Sequence, residues 1–504
     1  MPNIGVASPA ITAGQSADTG SRLTVTGWIL PALVTFFLGV YNIRTPELWR
    51  DEISSWNMAT RSLPQLLATF RHTNAAEGGY YLILHFWIAV FGDSVVAMRM
   101  PSVLAMTGAA ICVALTGRRL AGYRAGLAAG LVFAVIPSIS RFAQEVRPYA
   151  LGMLAAALAT LMLLRALAKP TLSRWAGYAV CIAAVGYLNE VGLAILVGHA
   201  AWPAVRWLRD RDIRLLGFAA AAVVAIAATF PVFLLGTGQA RSQLFWIPRA
   251  TFGAFVTLGP NLFYSYVIAG VLAAVGLCVW ARAGDRGAAL FATSLALAPV
   301  IAVWIVSQGS VSYFLGRYLL FTLIGWALLA GLALAALPWQ AMTAGLVVLA
   351  VLGAHDQQII REPLAHYWAS YPTTVRGGSD FEAAARTIDA GLRPGDGLYS
   401  PPGGRMSGPA VEYYLSTMTS APPVMVFIAS TAAQAHLLYD IQCQRSAACL
   451  HQASRIWYVQ PERTSNHYYL LVASQAAALK ARYRVARVTF LDNVTVVLFV
   501  RDHP

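Results

Sequence analysis

The sequence predicts a polytopic α-helical membrane protein of about eleven transmembrane helices, with a small C-terminal extracytoplasmic α/β domain. Three observations lead there. Of the 504 residues, 58% are hydrophobic and only 12% are charged, against roughly 45–50% and about 25% in soluble domains. Apolar runs close to the roughly 20 residues that cross a bilayer recur between residues 24 and 354. From about residue 355 the composition turns to that of a soluble chain. With a mean hydropathy of +0.59, this balance excludes a water-soluble enzyme, a disordered protein and a disulfide scaffold.

Residues 1–22 are polar and rich in Ser, Thr and Gly, with no charged stretch before a cleavable apolar one. They read as a disordered cytoplasmic tail before an uncleaved first span. The membrane domain, 23–354, holds apolar runs at about 24–43, 93–117, 122–140, 149–168, 174–189, 191–206, 215–236, 259–281, 287–307, 317–337 and 340–354. Residues 81–91 are apolar but too short to span, and read as an interfacial or re-entrant helix. The short connections Arg118–Arg124, Arg165–Arg174, Arg206–Arg214 and Arg282–Arg286 are basic, so they and the N-terminus are expected on the inner side. That leaves the long 44–80 segment and the C-terminal region outside.

The net charge of +14 is uneven, because residues 1–353 carry 23 of the 36 basic residues and 11 of the 22 acidic ones. In a membrane chain such an excess orients loops and meets anionic lipid, so nucleic acid is not an expected partner. Only Lys169 and Lys480 are lysine.

In 355–504, Ser379–Leu392 reads as an amphipathic helix with Phe381, Ala384, Ile388 and Leu392 on one face. Arg393-Pro394-Gly395-Asp396-Gly397 is a turn into the strand Leu398-Tyr399-Ser400. Val424–Ile428, Ile456–Val459, Tyr483–Phe490 and Val494–Val500 read as further strands, the last two a hairpin turning at Asp492-Asn493. Cys112, Cys181 and Cys278 lie in apolar runs and act as small hydrophobes. Cys443 and Cys449 form a disulfide if their region faces an oxidising compartment. No repeat of 20–50 residues is visible.

Three constellations carry chemistry. Leu48-Trp49-Arg50-Asp51-Glu52 sets two carboxylates beside an arginine just past the first span. Burial would raise a carboxylate pKa and the arginine would lower it, which suits a general base. A solvated turn is the bland alternative, but the loop runs on through Trp56, Phe70, His72 and Asn74, and long aromatic loops tend to be functional. Arg141-Phe-Ala-Gln-Glu145-Val-Arg147-Pro-Tyr149 puts ionisable groups between spans, where they line sites or merely snorkel. Gly316-Arg317-Tyr318-Leu319 puts an arginine at a helix start, fit for an anion or for interfacial anchoring. Asn189-Glu190 is placed similarly, whereas His199 reads as a packed core histidine. No P-loop, GxGxxG, HExxH or CxxC pair is present, and spans with internal charges that would mark an ion pathway are nearly missing.

In this order the pieces resemble the GT-C superfamily of membrane glycosyltransferases, in its actinobacterial protein-mannosyltransferase-like (family 39) group. The matching residues are Leu48–Glu52, Tyr80-Tyr81-Leu82-Ile83-Leu84-His85-Phe86-Trp87, Phe91-Gly92-Asp93-Ser94, Arg99-Met100-Pro101-Ser102, Ala143–Ala150 and Gly316–Leu319, within about 25–340. Relatives carry an acid or a proline pair just before the Tyr-Tyr; here the run is Asn74-Ala-Ala-Glu77-Gly-Gly-Tyr80, with Glu77 the acid available to substitute. The resemblance implies a sugar donor on polyprenyl phosphate, mannose or alternatively arabinose, used on the outer face of the inner membrane. The acceptor would be a cell-envelope glycan, glycolipid or protein. It implies Asp51 as base with Glu52 beside it, and Arg147, Arg317 and Tyr318 on the donor phosphate. Glu145, Tyr149, His72, Glu77 and Tyr81 would orient these groups or the acceptor. No metal cofactor is required by this scheme, although the acidic first loop could hold a divalent cation. A lipid-linked-sugar transporter and a non-catalytic membrane scaffold are the competing classes.

Overall fold

The computed structural model describes residues 20–282, 286–365, 378–401, 406–419 and 421–502. The expected N-terminal tail thus lies, up to residue 19, outside the described residues. The chain divides into two units. One comprises residues up to 43, 75–80 and 99–360; the other comprises 44–74, 81–98 and 361 onward. The segment 44–74 after the first helix therefore groups with the C-terminal region.

The first unit is helical because, in hydrocarbon, each backbone N–H and C=O must be satisfied within its own segment. Its longer helices are Gly20–Val40, Val95–Val135, Tyr149–Ala168, Leu172–Leu188, Ile195–Asp210, Arg214–Gln243, Tyr266–Arg282, Arg286–Val306, Leu323–Ala335 and Trp339–Ile359. Among the described residues six helical segments are long and apolar enough to cross a membrane, or seven if one bent pair counts as a span. All eleven apolar runs fall on helices, but several do not make separate straight spans. Gly27–Val40 and Leu172–Leu188 are shorter than a crossing needs.

Two expected spans are redrawn by local chemistry. The runs 93–117 and 122–140 are arms of Val95–Val135, which breaks at Ala121 and Gly122. Gly122 has φ +84°, which an L side chain rarely adopts. The second arm stops at Val135 because Pro137 restarts the chain as Pro137–Ala143. The run 259–281 is two helices, Gly253–Phe263 and the helix from Tyr266, bent by 106°.

Small residues let these helices touch. A Cβ at Gly126 would stand 2.4 Å from the Ala114 carbonyl oxygen, so the two arms pack backbone to backbone. Gly325 likewise meets Ala296 and Gly198 meets Ser294. Between apolar helices in lipid, such close contact replaces the hydrophobic drive of water.

In the second unit the helix Arg50–Ala59 packs against Ser407–Ser416, and Leu63–Phe70 against Ala432–Ala435. The strands are β1 (Gly397–Tyr399), β2 (Val424–Met425), β3 (Ile428–Ser430), β4 (Ile441–Gln442), β5 (Arg455–Gln460), β6 (Tyr483–Leu491) and β7 (Val494–Arg501). The main sheet has the order β2-β1-β5-β7-β6. β1 is parallel to β2 and β5, and β7 is antiparallel to β5 and β6. β5 is buried throughout, as a central strand covered on both faces must be.

The expected strand 424–428 is interrupted at Phe427, whose φ of +61° sends the chain out to a separate β3–β4 ribbon. The expected helix 379–392 is shortened to Phe381–Asp389, capped by Asp380 Oδ1 accepting from the Ala383 N–H at 2.7 Å. Phe381, Ala384 and Ile388 are buried as the pattern requires. Cys443 and Cys449 form a disulfide.

Glu47 ties the first loop to this domain. Its N–H donates to the Pro363 carbonyl at 3.0 Å, and its carboxylate accepts from the Glu382 N–H at 3.5 Å. Burial and the neighbouring Asp380 push its carboxyl up to about 9. Between about pH 4.5 and 9 the folded state therefore holds a proton that the unfolded state has lost, and stability falls as pH rises. Glu47→Gln is expected to flatten that part of the stability–pH curve, measured by thermal unfolding in detergent. Gly126→Leu is expected to cost about 1–3 kcal/mol or more by forcing the two arms apart, read as a lowered Tm.

Candidate active site

The segment 141–149 is held in place by polar contacts to the ends of two neighbouring helices. Gln144 Nε2 donates to the Gly39 and Tyr41 carbonyls at 3.0 and 2.7 Å. Ser102 Oγ donates to the Glu145 carbonyl at 2.6 Å. Arg99 Nη1 donates to the Ile43 carbonyl at 2.7 Å, fixing the exit of the first helix. Pro148 caps Tyr149–Ala168, so Tyr149 stands at that helix's start.

Around this frame two ion pairs form. Arg141 Nη2 lies 3.1 Å from Glu145 Oε1, and both side chains are almost wholly buried. Arg147 pairs with the Glu77 carboxylate, in the run before the Tyr-Tyr motif. A third guanidinium, Arg317, lies over the rings of Trp246 at 5.4 Å and Tyr318 at 5.9 Å. Arg147 lies over Tyr149 at 5.8 Å. Tyr149 packs against Phe142 and Tyr318, and feels both Arg147 and Arg317 electrostatically. Its buried Oη has no hydrogen-bond partner among the described residues. Arg141 also hydrogen-bonds Tyr264, which sits at the bend between the paired helices.

The cluster thus holds three guanidinium groups and two carboxylates, with aromatic rings among them and a buried hydroxyl that feels Arg147 and Arg317. Such a set suits an anion carried on an apolar tail. Asn189 Nδ2 donates to the Tyr318 carbonyl at 3.1 Å and steadies the Gly316–Thr322 turn.

In the second unit, Asp51 lies in the first turn of Arg50–Ala59, partly exposed, with Arg50 Nε 3.9 Å from its Oδ1. The helix N-terminus and Arg50 both surround this carboxylate with positive potential. Glu52 is fully buried and its Oε2 accepts from the Trp49 N–H at 3.3 Å, so it caps the helix that carries Asp51. Trp56 Nε1 donates to Asp93 Oδ2 at 2.9 Å. Tyr81 is buried, stacks on Phe70 and accepts weakly from Asn74 Nδ2. His72 is exposed on the loop. Among the described residues no three His, Cys, Asp or Glu side chains converge as a metal ion requires.

The structure therefore brings Glu77, Glu145, Arg147, Tyr149, Arg317 and Tyr318 together in the first unit, and Asp51 and Glu52 in one helical turn of the second. Tyr264 and Trp246 were not singled out from sequence, since isolated aromatics in apolar runs carry no signal of a site. Arg61 was also passed over. It is buried and bonds Thr69 Oγ1 and Asn57 Oδ1, both at 2.9 Å.

The first unit is thus an apolar helical one with buried arginine and tyrosine side chains between its helices. The model of the dolichyl-phosphate-mannose-protein mannosyltransferase family matches residues 79–234. No curated protein matches the chain. The fold is similar to that of ArnT from Cupriavidus metallidurans in the apo state, with 18% identity, TM-score 0.60, and 96% of this chain and 98% of that one covered. It is similar also to the same protein bound to undecaprenyl phosphate, with 16% identity, TM-score 0.61, and 95% and 98% covered. The Archaeoglobus fulgidus oligosaccharyltransferase in the apo form is matched at 12% identity and TM-score 0.50, over 97% of this chain and 75% of that one. The chain has the GT-C fold that ArnT shows.

Removing one member of a buried ion pair leaves the other charge uncompensated. Arg141→Met is expected to destabilise the protein by about 3–5 kcal/mol, while the double change Arg141→Met with Glu145→Met recovers most of that loss. Thermal unfolding of the single and double variants in detergent checks both.

Proposed function

We propose that the chain is a glycosyltransferase that moves a sugar from a polyprenyl-phosphate donor to a cell-envelope acceptor with inversion. The sugar is mannose in the first instance, with arabinofuranose the alternative. The reaction takes place on the outer face of the plasma membrane. The observation that carries this reading is the pair Arg147 and Arg317 beside the buried Tyr149 hydroxyl, with the Arg141–Glu145 ion pair in the same apolar helical unit. The undecaprenyl phosphate bound to ArnT, whose fold this chain shares, supports a lipid phosphate as the anion. The Cys443–Cys449 disulfide supports an oxidising, outer location for the C-terminal domain.

In this reaction the acceptor hydroxyl oxygen bonds to the anomeric carbon while the bond from that carbon to the phosphate oxygen breaks. The oxygen departs with the electron pair, so a phosphodiester of one negative charge becomes a monoester of two. Arg147 and Arg317 meet that added charge, and Tyr149 Oη can donate to the leaving oxygen. Asp51 takes the acceptor proton. Glu52 holds the turn that presents Asp51, and Glu77 and Glu145 hold the guanidinium groups.

The test uses purified full-length protein, polyprenyl-phosphate mannose and polyprenyl-phosphate arabinofuranose, each radiolabelled in the sugar, and a cell-envelope extract. Wild type is expected to label the extract from one donor, and Asp51→Asn to lose about 10²–10⁴-fold in turnover. Full activity in Asp51→Asn would remove the base assignment. Unlabelled extract with both donors, together with donor crossing the wall of reconstituted vesicles, would replace transfer by transport.

A further inference from the structure

Glu190 is an ionisable residue that the proposed reaction does not use. It opens the turn Glu190–Ala194, between the helices Leu172–Leu188 and Ile195–Asp210 of the first unit. Its Oε1 is buried and has no hydrogen-bond partner among the described residues. A buried carboxylate oxygen left unpaired is costly, and an ionisable group at such a place in an apolar helical unit marks a candidate site.

The neighbouring helix makes room for this carboxylate. Gly236 is a buried position in Arg214–Gln243. A Cβ there would collide with Glu190 Oε1 and stand 2.7 Å from Oε2. Glycine lets the two oxygens lie against the helix, although it is a poor helix former.

The segments around Glu190 are those that place the arginines of the proposed phosphate site. Its neighbour Asn189 donates from Nδ2 to the Tyr318 carbonyl at 3.1 Å, one residue past Arg317. Tyr313, four residues before Arg317, interacts electrostatically with Glu190. On the other side Gln239 follows Gly236 by three residues, on the same helix face. Gln239 Oε1 accepts from the Ala75 N–H at 3.0 Å, at the head of the turn Ala75–Glu77, whose Glu77 pairs with Arg147. The helix ends at Gln243, and just beyond it the Trp246 ring lies 5.4 Å from the Arg317 guanidinium. Glu190 is thus bracketed by the supports of Arg147 and of Arg317.

The chemistry of the carboxylate selects the group it meets. It repels a phosphate, which the guanidinium groups attract, and an isoprenoid chain would leave Oε1 unpaired. Adjacent hydroxyls of a sugar ring can donate to both oxygens of one carboxylate. The geometry points to Glu190 as the residue that hydrogen-bonds hydroxyls of the donor's sugar, and so as a determinant of which sugar the protein accepts. A group set to meet a hydroxyl discriminates strongly against an analogue that lacks it, because the group is then left buried and unpaired. Glu190 has this role only if the proposed lipid-linked sugar occupies the arginine site, but sugar binding itself does not require transfer.

Binding is therefore measured without acceptor. Purified full-length protein is loaded with radiolabelled polyprenyl phosphate, which also reports that each variant is folded. The competitors are polyprenyl-phosphate mannose, polyprenyl-phosphate arabinofuranose, and monodeoxy derivatives of whichever of the two binds more tightly. Glu190→Ala is expected to weaken the sugar-bearing lipid at least tenfold and to leave polyprenyl phosphate within twofold. Gly236→Ala, which displaces the carboxylate without altering a polar group, is expected to act in the same direction. In wild type one monodeoxy derivative is expected to bind at least tenfold more weakly than its parent, and in Glu190→Ala that penalty disappears. Equal weakening of both lipids, unchanged binding of the sugar-bearing one, or a deoxy penalty that persists in Glu190→Ala overturns the assignment. Glu190-dependent sugar binding in a protein that labels no cell-envelope acceptor keeps the site and overturns only the proposed transfer.

Discussion

A guanidinium group inside an apolar helical unit must find its counter-charge there, and that demand organises the first unit. Arg141 and Arg147 stand six residues apart and are matched by Glu145 and Glu77. Taking two charges out of water costs several kcal/mol each, and only close pairing with further hydrogen bonds offsets it. The surroundings supply that order. Gln144 grips two carbonyls at the end of the first helix, Ser102 holds the Glu145 carbonyl, and Arg99 holds that of Ile43. Four separate sequence segments are thereby pinned to one place. In a chain with so few charges, buried ion pairs of this kind single the segment out as a candidate site, since apolar side chains would pack the same helices at lower cost.

The second unit meets a different constraint. A loop of some thirty residues between spans has little core of its own, so it takes order from the domain beside it. Glu47, Leu48 and Trp56 each bond or pack against that domain or against Asp93. The sheet in turn is fixed by β5, whose residues are buried on both faces with Tyr399, Phe427, Tyr458 and Phe499 among the packed rings around it. The position of Asp51 is therefore set by tertiary contacts and by the Glu52 cap, and little by the helix propensity of a ten-residue segment.

Much of this was legible in the sequence. Apolar runs of span length fall on helices because length and hydropathy alone decide that a segment leaves water. Val494–Val500 and Tyr483–Phe490 read correctly since β-branched alternation around Asp492-Asn493 has one interpretation, and Asn493 does take a positive φ. The two-helix bend at 264–265 was hidden, because apolar residues lie on both sides of it and Tyr264 gives no local sign of a left-handed backbone. Strand 424–428 was misjudged for the same reason at Phe427. At the site, Arg147, Glu145 and Arg317 stood out because ionisable groups beside spans are rare. Arg61, Tyr264 and Trp246 did not, since their roles come only from which distant segments meet them.

The charge arithmetic of the proposed reaction gives this selection a physical meaning. Glycosyl transfer from a phosphodiester adds one negative charge to the leaving group, no more. A site with cations in large excess would bind the product phosphate more tightly than the reaction can use, and slow its release. A site with paired charges alone would offer the developing dianion nothing new. In the proposed reaction Arg147 and Arg317, each with a tyrosine beside it, lie between these limits. In the proposed reaction the buried Tyr149 hydroxyl, beside Arg147 and Arg317, would donate a hydrogen bond that strengthens as the leaving oxygen gains charge. Differential stabilisation of that kind is what lowers a barrier.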